Sequence, residues 1–250
     1  MIELIDVTKK YGSHCAVDAI SLSVAPGELF AFLGPNGAGK TTTIKLIAGL
    51  LRPTAGEVRV CGRTIGLDGV AARARIAYVP DSPFLYEKLT GREFLRFVGE
   101  MYDVPPDAFK QRFGVLTDRL GVEPFLDRMI ETYSHGMKQR VVLTSALIHD
   151  PQVLLIDEPM VGLDPKTVRS VKDLMREMTD AGRTVFMSTH TLEVAEAVAD
   201  RIGIIHRGIL VTVGTLAELR ERASQQTSLE DIFLGLTADA HDDQSETIPE

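Results

Sequence analysis

One stretch restricts this chain more than any other: Gly34-Pro35-Asn36-Gly37-Ala38-Gly39-Lys40-Thr41. It fits the pattern G-x-x-x-x-G-K-[ST], which works only between a strand and a helix. Both flanks comply. Leu29-Phe30-Ala31-Phe32-Leu33 is apolar without alternation, as a strand covered on both faces is. Ile44, Ile47, Ala48 and Leu51 fall at i, i+3, i+4 and i+7, one face of a helix. Glycines let successive backbone N–H groups turn toward one anion, and the helix N-terminus adds its positive end. Lys40 then reaches the β- and γ-phosphates of a nucleotide, and the Thr41 hydroxyl binds Mg²⁺. Gly34, Asn36, Gly37, Gly39, Lys40, Thr41 and Thr42 are the candidate phosphate-binding residues.

The other buried-strand runs lie far downstream, at Val153–Ile156, Thr184–Met187 and Ile202–Ile205, with helical patterns between them. That order predicts a mainly parallel sheet. Val153-Leu154-Leu155-Ile156-Asp157-Glu158 carries two carboxylates to the end of its strand, the edge where open α/β sheets bind ligands. Asp157 is placed to hold Mg²⁺, and Glu158 to act as general base on an attacking water.

Ahead of the loop, Ile20–Val24 alternates apolar and polar residues, and Pro26-Gly27 marks a turn. Between about Ser82 and Asp150 the texture turns helical. Thr90 and Glu93 form a capping box, Phe94, Phe97, Val98 and Met101 form the expected apolar stripe, and Pro105-Pro106 ends the helix. Thr215 and Glu218 form a second box. The expected organisation is therefore an ATP-binding-type α/β core at 1–81 and 151–218, a helical subdomain at 82–150, a C-terminal helical segment at 219–237, and an acidic, disordered tail at 238–250.

Composition excludes several classes. The formal net charge is −8, and five of those charges belong to the tail, which has no Lys or Arg, so −3 remains elsewhere. A general basic surface for nucleic acid is excluded. No apolar run approaches the ~18 residues of a membrane-spanning helix, and no secretion signal is visible at the start. Cys15 and Cys61 form no close-spaced pair, so neither a disulfide framework nor a cysteine zinc site is expected. The histidines at 14, 135, 149, 206 and 241 show no metal-ligand spacing.

Three further segments complete a set: Tyr133-Ser134-His135-Gly136-Met137-Lys138-Gln139-Arg140, then Gly162-Leu163-Asp164-Pro165, then Ser188-Thr189-His190. With the two motifs above, in this order and spacing, the chain resembles the ATP-binding cassette (ABC) proteins, specifically the nucleotide-binding subunit of an ABC transporter, from Ile2 to about Thr237. The resemblance implies an α/β fold. Its parts are a P-loop NTPase core, with a mainly parallel sheet and an N-terminal antiparallel β part, and an inserted α-helical subdomain. It implies ATP and Mg²⁺ as cofactors. Tyr11 matches the aromatic residue that stacks on adenine. Ser134 and Gly136 match the signature that binds the γ-phosphate of ATP held by a second cassette. Asp164 matches the loop that communicates across the dimer, and His190 the switch histidine. The partners implied are transmembrane permease subunits and that second cassette, identical or paralogous, with no nucleic acid. The implied location is the cytoplasm, peripheral at the cytoplasmic face of the membrane.

The chain departs from the family pattern twice. Asp81 follows Tyr78-Val79-Pro80 where Gln is usual; as a hard oxygen ligand it still suits Mg²⁺. The signature, usually Leu-Ser-Gly-Gly-Gln, keeps only Ser134 and Gly136. The segment Ser228–Leu234 resembles the ending of subunits that drive exporters with separate permeases, and it reads equally as a short amphipathic helix. Two rivals remain at this stage. One is a soluble ABC ATPase acting on nucleic acid or ribosomes. Against it, only 94 positions separate Lys40 from Ser134 and no heptads intervene. The other is a weakly hydrolysing ATP-sensing module, which Asp81 alone favours.

Overall fold

The computed structural model describes residues 1–66 and 69–224. The expectations for the tail and for Ser228–Leu234 lie outside the described residues. Two sheets carry the architecture. The first is antiparallel, in the order β2-β1-β4-β5, from β1 (Ile2–Tyr11), β2 (His14–Val24), β4 (Ala55–Val60) and β5 (Arg63–Thr64). The second contains β3 (Leu29–Leu33), β6 (Ile76–Val79), β7 (Val153–Asp157), β8 (Thr184–Thr189), β9 (Arg201–His206) and β10 (Ile209–Gly214), in the order β10-β9-β3-β8-β7-β6. All its neighbours pair parallel except β9 and β10. β3, β7 and β8 are buried at every position. This is why their sequences run apolar without alternation.

Helix α1 (Lys40–Ile47) covers one face of the parallel sheet. Its Ile44, Leu46 and Ile47 join Phe30, Phe32, Leu155 and Phe186 in a core shared with the antiparallel sheet. The three rings pack together, with Phe30 stacked on Phe186 at 5.4 Å. A short α2 (Gly69–Arg73) precedes β6. The other face is covered by α3 (Gly91–Met101), α4 (Pro106–Arg119), α5 (His135–Ile148), α6 (Pro165–Asp180) and α7 (Leu192–Val198), in a second core containing Ala31, Leu33, Leu154 and Ile156. The chain thus sorts alternate strand residues onto two separate cores.

Local signals explain where helices begin. The Thr90 side chain accepts from Glu93 N while Glu93 reaches back to Thr90 N, so the expected capping box closes. Thr215 and Glu218 do the same before α8 (Leu216–Ser224). The helix therefore starts at 216, and the expected division at 218/219 falls inside it. The apolar stripe of α3 also differs from expectation. Phe94 and Leu95 are buried, but Phe97 is 38% and Met101 61% exposed. The helix is rotated so that Leu95 faces the core and the outer half of the stripe faces outward.

Candidate active site

The phosphate loop joins β3 to α1. Gly39 is the N-cap of α1 with φ +106°, and a Cβ there would stand 2.4 Å from the Ala16 carbonyl oxygen. Both observations admit only glycine. No side chain caps α1, and its first turn has no acidic residue. The positive end of the helix is therefore left open to an anion. Lys40 is the first residue of that helix and is 6% exposed. Its ammonium donates to the carbonyls of Gly34 at 2.6 Å and Pro35 at 3.0 Å, and lies 3.9 Å from Glu158 Oε1. Burial lowers the Lys40 pKa below the usual lysine value, against the opposing pull of Glu158 and Asp157.

Asp157 ends β7 and is 1% exposed. Its Oδ1 accepts a hydrogen bond from the Ser188 hydroxyl of the neighbouring β8, while Oδ2 is buried without a partner. A buried carboxylate oxygen with nothing donating to it is costly in an apolar surrounding. A hard divalent cation beside it is the chemistry that the atom suits. Thr41 and Asp81 line the same cleft, so the donor set is oxygen throughout and fits Mg²⁺. Asp81 itself is exposed and accepts from Ser82 N at 2.7 Å.

Glu158 has φ +52°, a left-handed backbone uncommon outside glycine. Its N–H is anchored on Ser188, through the carbonyl at 3.2 Å and the hydroxyl at 3.3 Å. That turn aims the carboxylate at two partners, His190 Nδ1 at 2.9 Å and Lys40. A residue in this sparsely populated region persists only where its surroundings fix it, and here the Ser188 carbonyl and hydroxyl do so.

A cleft of about 340 Å³ gathers these groups. Tyr11, Asn36, Gly37, Gly39, Lys40, Thr41, Thr42, Asp81, Asp157 and Glu158 all line it, and His190 reaches it through Glu158. Gly34 enters through its carbonyl on Lys40. Tyr11 is 47% exposed, with the Lys9 ammonium 5.2 Å from its ring centre. His14 and Ala16 line the cleft too, and sequence reasoning missed both. The Tyr11–His14 pairing that closes the β1–β2 hairpin brings His14 there. The Gly12-Ser13 turn between them is the signal that was available.

Three sequence-predicted residues do not join this cleft: Ser134, Gly136 and Asp164. Ser134 caps α5, accepting from Met137 N, and Asp164 caps α6, accepting from Thr167 N at 3.0 Å and Thr167 Oγ1 at 2.7 Å. Those two bonds hold the Asp164 pKa below the ordinary carboxylate value. A Cβ on Gly136 would stand 2.9 Å from the Gly162 carbonyl, so the start of α5 rests directly on the loop that leads into α6.

Comparison with known proteins bears on this geometry. The family model described as ABC transporter matches residues 17–161. The linearmycin resistance ATP-binding protein LnrL of Bacillus subtilis is 37% identical over 230 residues, covering 92% of this chain and 74% of that protein. A solved ATP-binding subunit of an ABC transporter superposes with a TM-score of 0.89 at 33% identity, covering 95% and 99% of the two chains. An ATP-binding cassette solved as a dimer in a post-hydrolysis state with ADP and Pi gives 0.79 at 28% identity, covering 86% and 99%. A phosphate loop, two strand-end carboxylates and a histidine met in one cleft, on this fold and with these relatives, leave one assignment: the chain belongs to the ABC transporter family, as an ATP-binding and ATP-hydrolysing subunit.

Proposed function

We propose that this subunit powers an exporter by ATP-driven closure of two cassettes on separate transmembrane permease subunits. The observation that carries this is the division of the site. Tyr11, Lys40, Thr41, Asp157, Glu158 and His190 serve one cleft, while Ser134 and Gly136 sit outside it at the start of α5, where Ser134 is exposed. A γ-phosphate bound by both sets needs two chains, so ATP acts as the joint between them. The drug-resistance relative supports export as the direction.

Within one cleft the roles follow from chemistry. The Tyr11 ring offers a face to adenine. The loop N–H groups and Lys40 hold the phosphates; Lys40 leaves the carbonyls of Gly34 and Pro35 when a better acceptor arrives. Thr41, Asp81 and Asp157 would hold Mg²⁺, which would supply charge neutralisation at the phosphates. Glu158 orients the attacking water and takes its proton, and His190, already bonded to Glu158, holds that carboxylate in place.

The permease contact is assigned to the segment after Asp81, from Ser82 to Leu89. Phe84 is 81% and Tyr86 52% exposed, and Tyr86 meets Phe97 edge-on at 5.7 Å. With Met101 these side chains form an apolar surface next to a metal-ligand candidate, which suits a device that couples ATP to a membrane partner. No helix among the described residues is long and apolar enough to cross a membrane. The membrane part belongs to the partner, and this subunit sits peripherally on its cytoplasmic side.

Glu158→Gln tests the chemistry. It should abolish steady-state phosphate release and accumulate an ATP-bound dimer in size-exclusion chromatography; near-normal turnover overturns the base assignment. Lys40→Ala should lose nucleotide affinity, and unchanged ATP binding contradicts the loop assignment.

A further inference from the structure

Tyr78 has no part in the mechanism above, yet its hydroxyl is buried and has no hydrogen-bond partner. A phenol oxygen shut away from water without a partner is costly, so its missing acceptor is worth seeking among its neighbours. The strand register says what lies near it. Tyr78 on β6 pairs in parallel with Leu155 on β7. Side chains two residues apart on a strand share a face, so Tyr78, Leu155 and Asp157 point to the side that α1 covers. Burial agrees, since Tyr78 packs on the core that holds Leu155 and the α1 residues Ile44 and Ile47. Asp81 follows three residues after Tyr78 and lines the cleft with Asp157. Burial first, then the charges of Asp157 and Asp81, hold the Tyr78 hydroxyl well above the usual tyrosine pKa, so it remains a proton donor. One buried donor lacks an acceptor, and one buried acceptor, Asp157 Oδ2, lacks a donor, on the same face of adjacent strands.

We propose that Tyr78 is a positioning residue of the metal site, its hydroxyl donating a hydrogen bond to the Asp157 carboxylate, from outside the coordination shell, when Asp157 and Asp81 hold Mg²⁺. The inference rests on the metal assignment made above. Its consequence is specific to this chain. Asp81 supplies a full negative charge where a neutral amide is usual in the family, so the orientation of the Asp157 carboxylate beside it has to be fixed by a donor that is neutral. The Tyr78 hydroxyl supplies that donor without adding charge.

The test uses the full chain and Tyr78→Phe, which keeps the ring and its packing. Affinity for the non-hydrolysable analogue β,γ-imido-ATP is measured by calorimetry with Mg²⁺ or Mn²⁺ and again in EDTA, and the ratio of the two is the metal-dependent gain. Tyr78→Phe should cut that gain about tenfold, the usual effect of removing a second-layer partner of a metal ligand. Affinity in EDTA should be unchanged. The metal-free melting temperature should hold or rise, since an unpaired buried hydroxyl is removed. A gain within about twofold of the parent overturns the proposal, as does a fall in metal-free melting temperature, which would make the hydroxyl structural. Asp157→Asn runs alongside. If it loses the gain and Tyr78→Phe does not, Tyr78 is refuted and the metal assignment stands; if Asp157→Asn keeps the gain, both fall.

Discussion

Ser188 anchors both strand-end acidic residues, Asp157 through its carboxylate and Glu158 through its backbone N–H, and Ser188→Ala measures what that is worth. Its side chain is fully buried on β8, opposite Asp157 in the strand register. Its hydroxyl donates to Asp157 Oδ1 and accepts from Glu158 N. The substitution leaves both Asp157 oxygens without a donor, because Oδ2 already lacks one. Glu158 N keeps the Ser188 carbonyl at 3.2 Å, so the backbone turn survives. A hydrogen bond to a charged group contributes roughly 1.5–3 kcal/mol, and a partner left buried adds to the loss. The removed hydroxyl leaves only a small void, so about 2–3 kcal/mol is the expected destabilisation in the metal-free protein. For a chain of this size that is a drop of roughly 4–12 °C in melting temperature. Differential scanning calorimetry in EDTA reads it directly. With ATP and Mg²⁺ the deficit should shrink, because the cation takes over the uncompensated carboxylate. A melting temperature within a degree or so of the parent in EDTA refutes the argument that Ser188 satisfies a buried charge; an equal deficit with and without Mg²⁺·ATP refutes the link to the metal.

Three more outcomes follow from the same geometry. Gly39→Ala forces a Cβ to 2.4 Å from the Ala16 carbonyl at φ +106°, so it should abolish ATP binding in a filter or calorimetric assay, with a loss of stability of about 1–3 kcal/mol. His190→Ala removes the Nδ1 bond to Glu158 and should lower turnover roughly 10²–10³-fold while ATP affinity changes little; equal losses in both would make the histidine a binding residue. His149, half-buried and stacked on Tyr102 at 3.8 Å, has its pKa pushed down to about 4, chiefly by burial. A histidine with a depressed folded pKa contributes stability that is present above the unfolded value near 6.5 and is lost as pH falls toward 4. Discounted for its contact with solvent, that is about 1–2 kcal/mol. His149→Gln should flatten the melting-temperature profile across that window, and an unchanged slope would assign the acid sensitivity elsewhere.

What the sequence made legible was whatever is written within a few consecutive residues. The phosphate loop, the Val153–Glu158 strand end and the two capping boxes are each complete over four to eight positions, and each forms as expected. The features that complete the site come from pairs far apart in the chain. Glu158 meets His190 across 32 residues, and that bond depends on the register of β7 on β8 and on a left-handed residue that no pattern announces. His14 borders the cleft only because β1 and β2 close a hairpin over it. Tyr78 reads as an ordinary half-buried strand tyrosine until β6 is laid beside β7. The outward turn of Phe97 and Met101 illustrates the opposite limit. Periodicity fixes which residues share a face of α3, but the neighbours decide which part of that face is covered. An apolar stripe that is only half buried therefore carries information that the stripe alone does not: its uncovered half, beside Phe84 and Tyr86, is where a partner has to be sought.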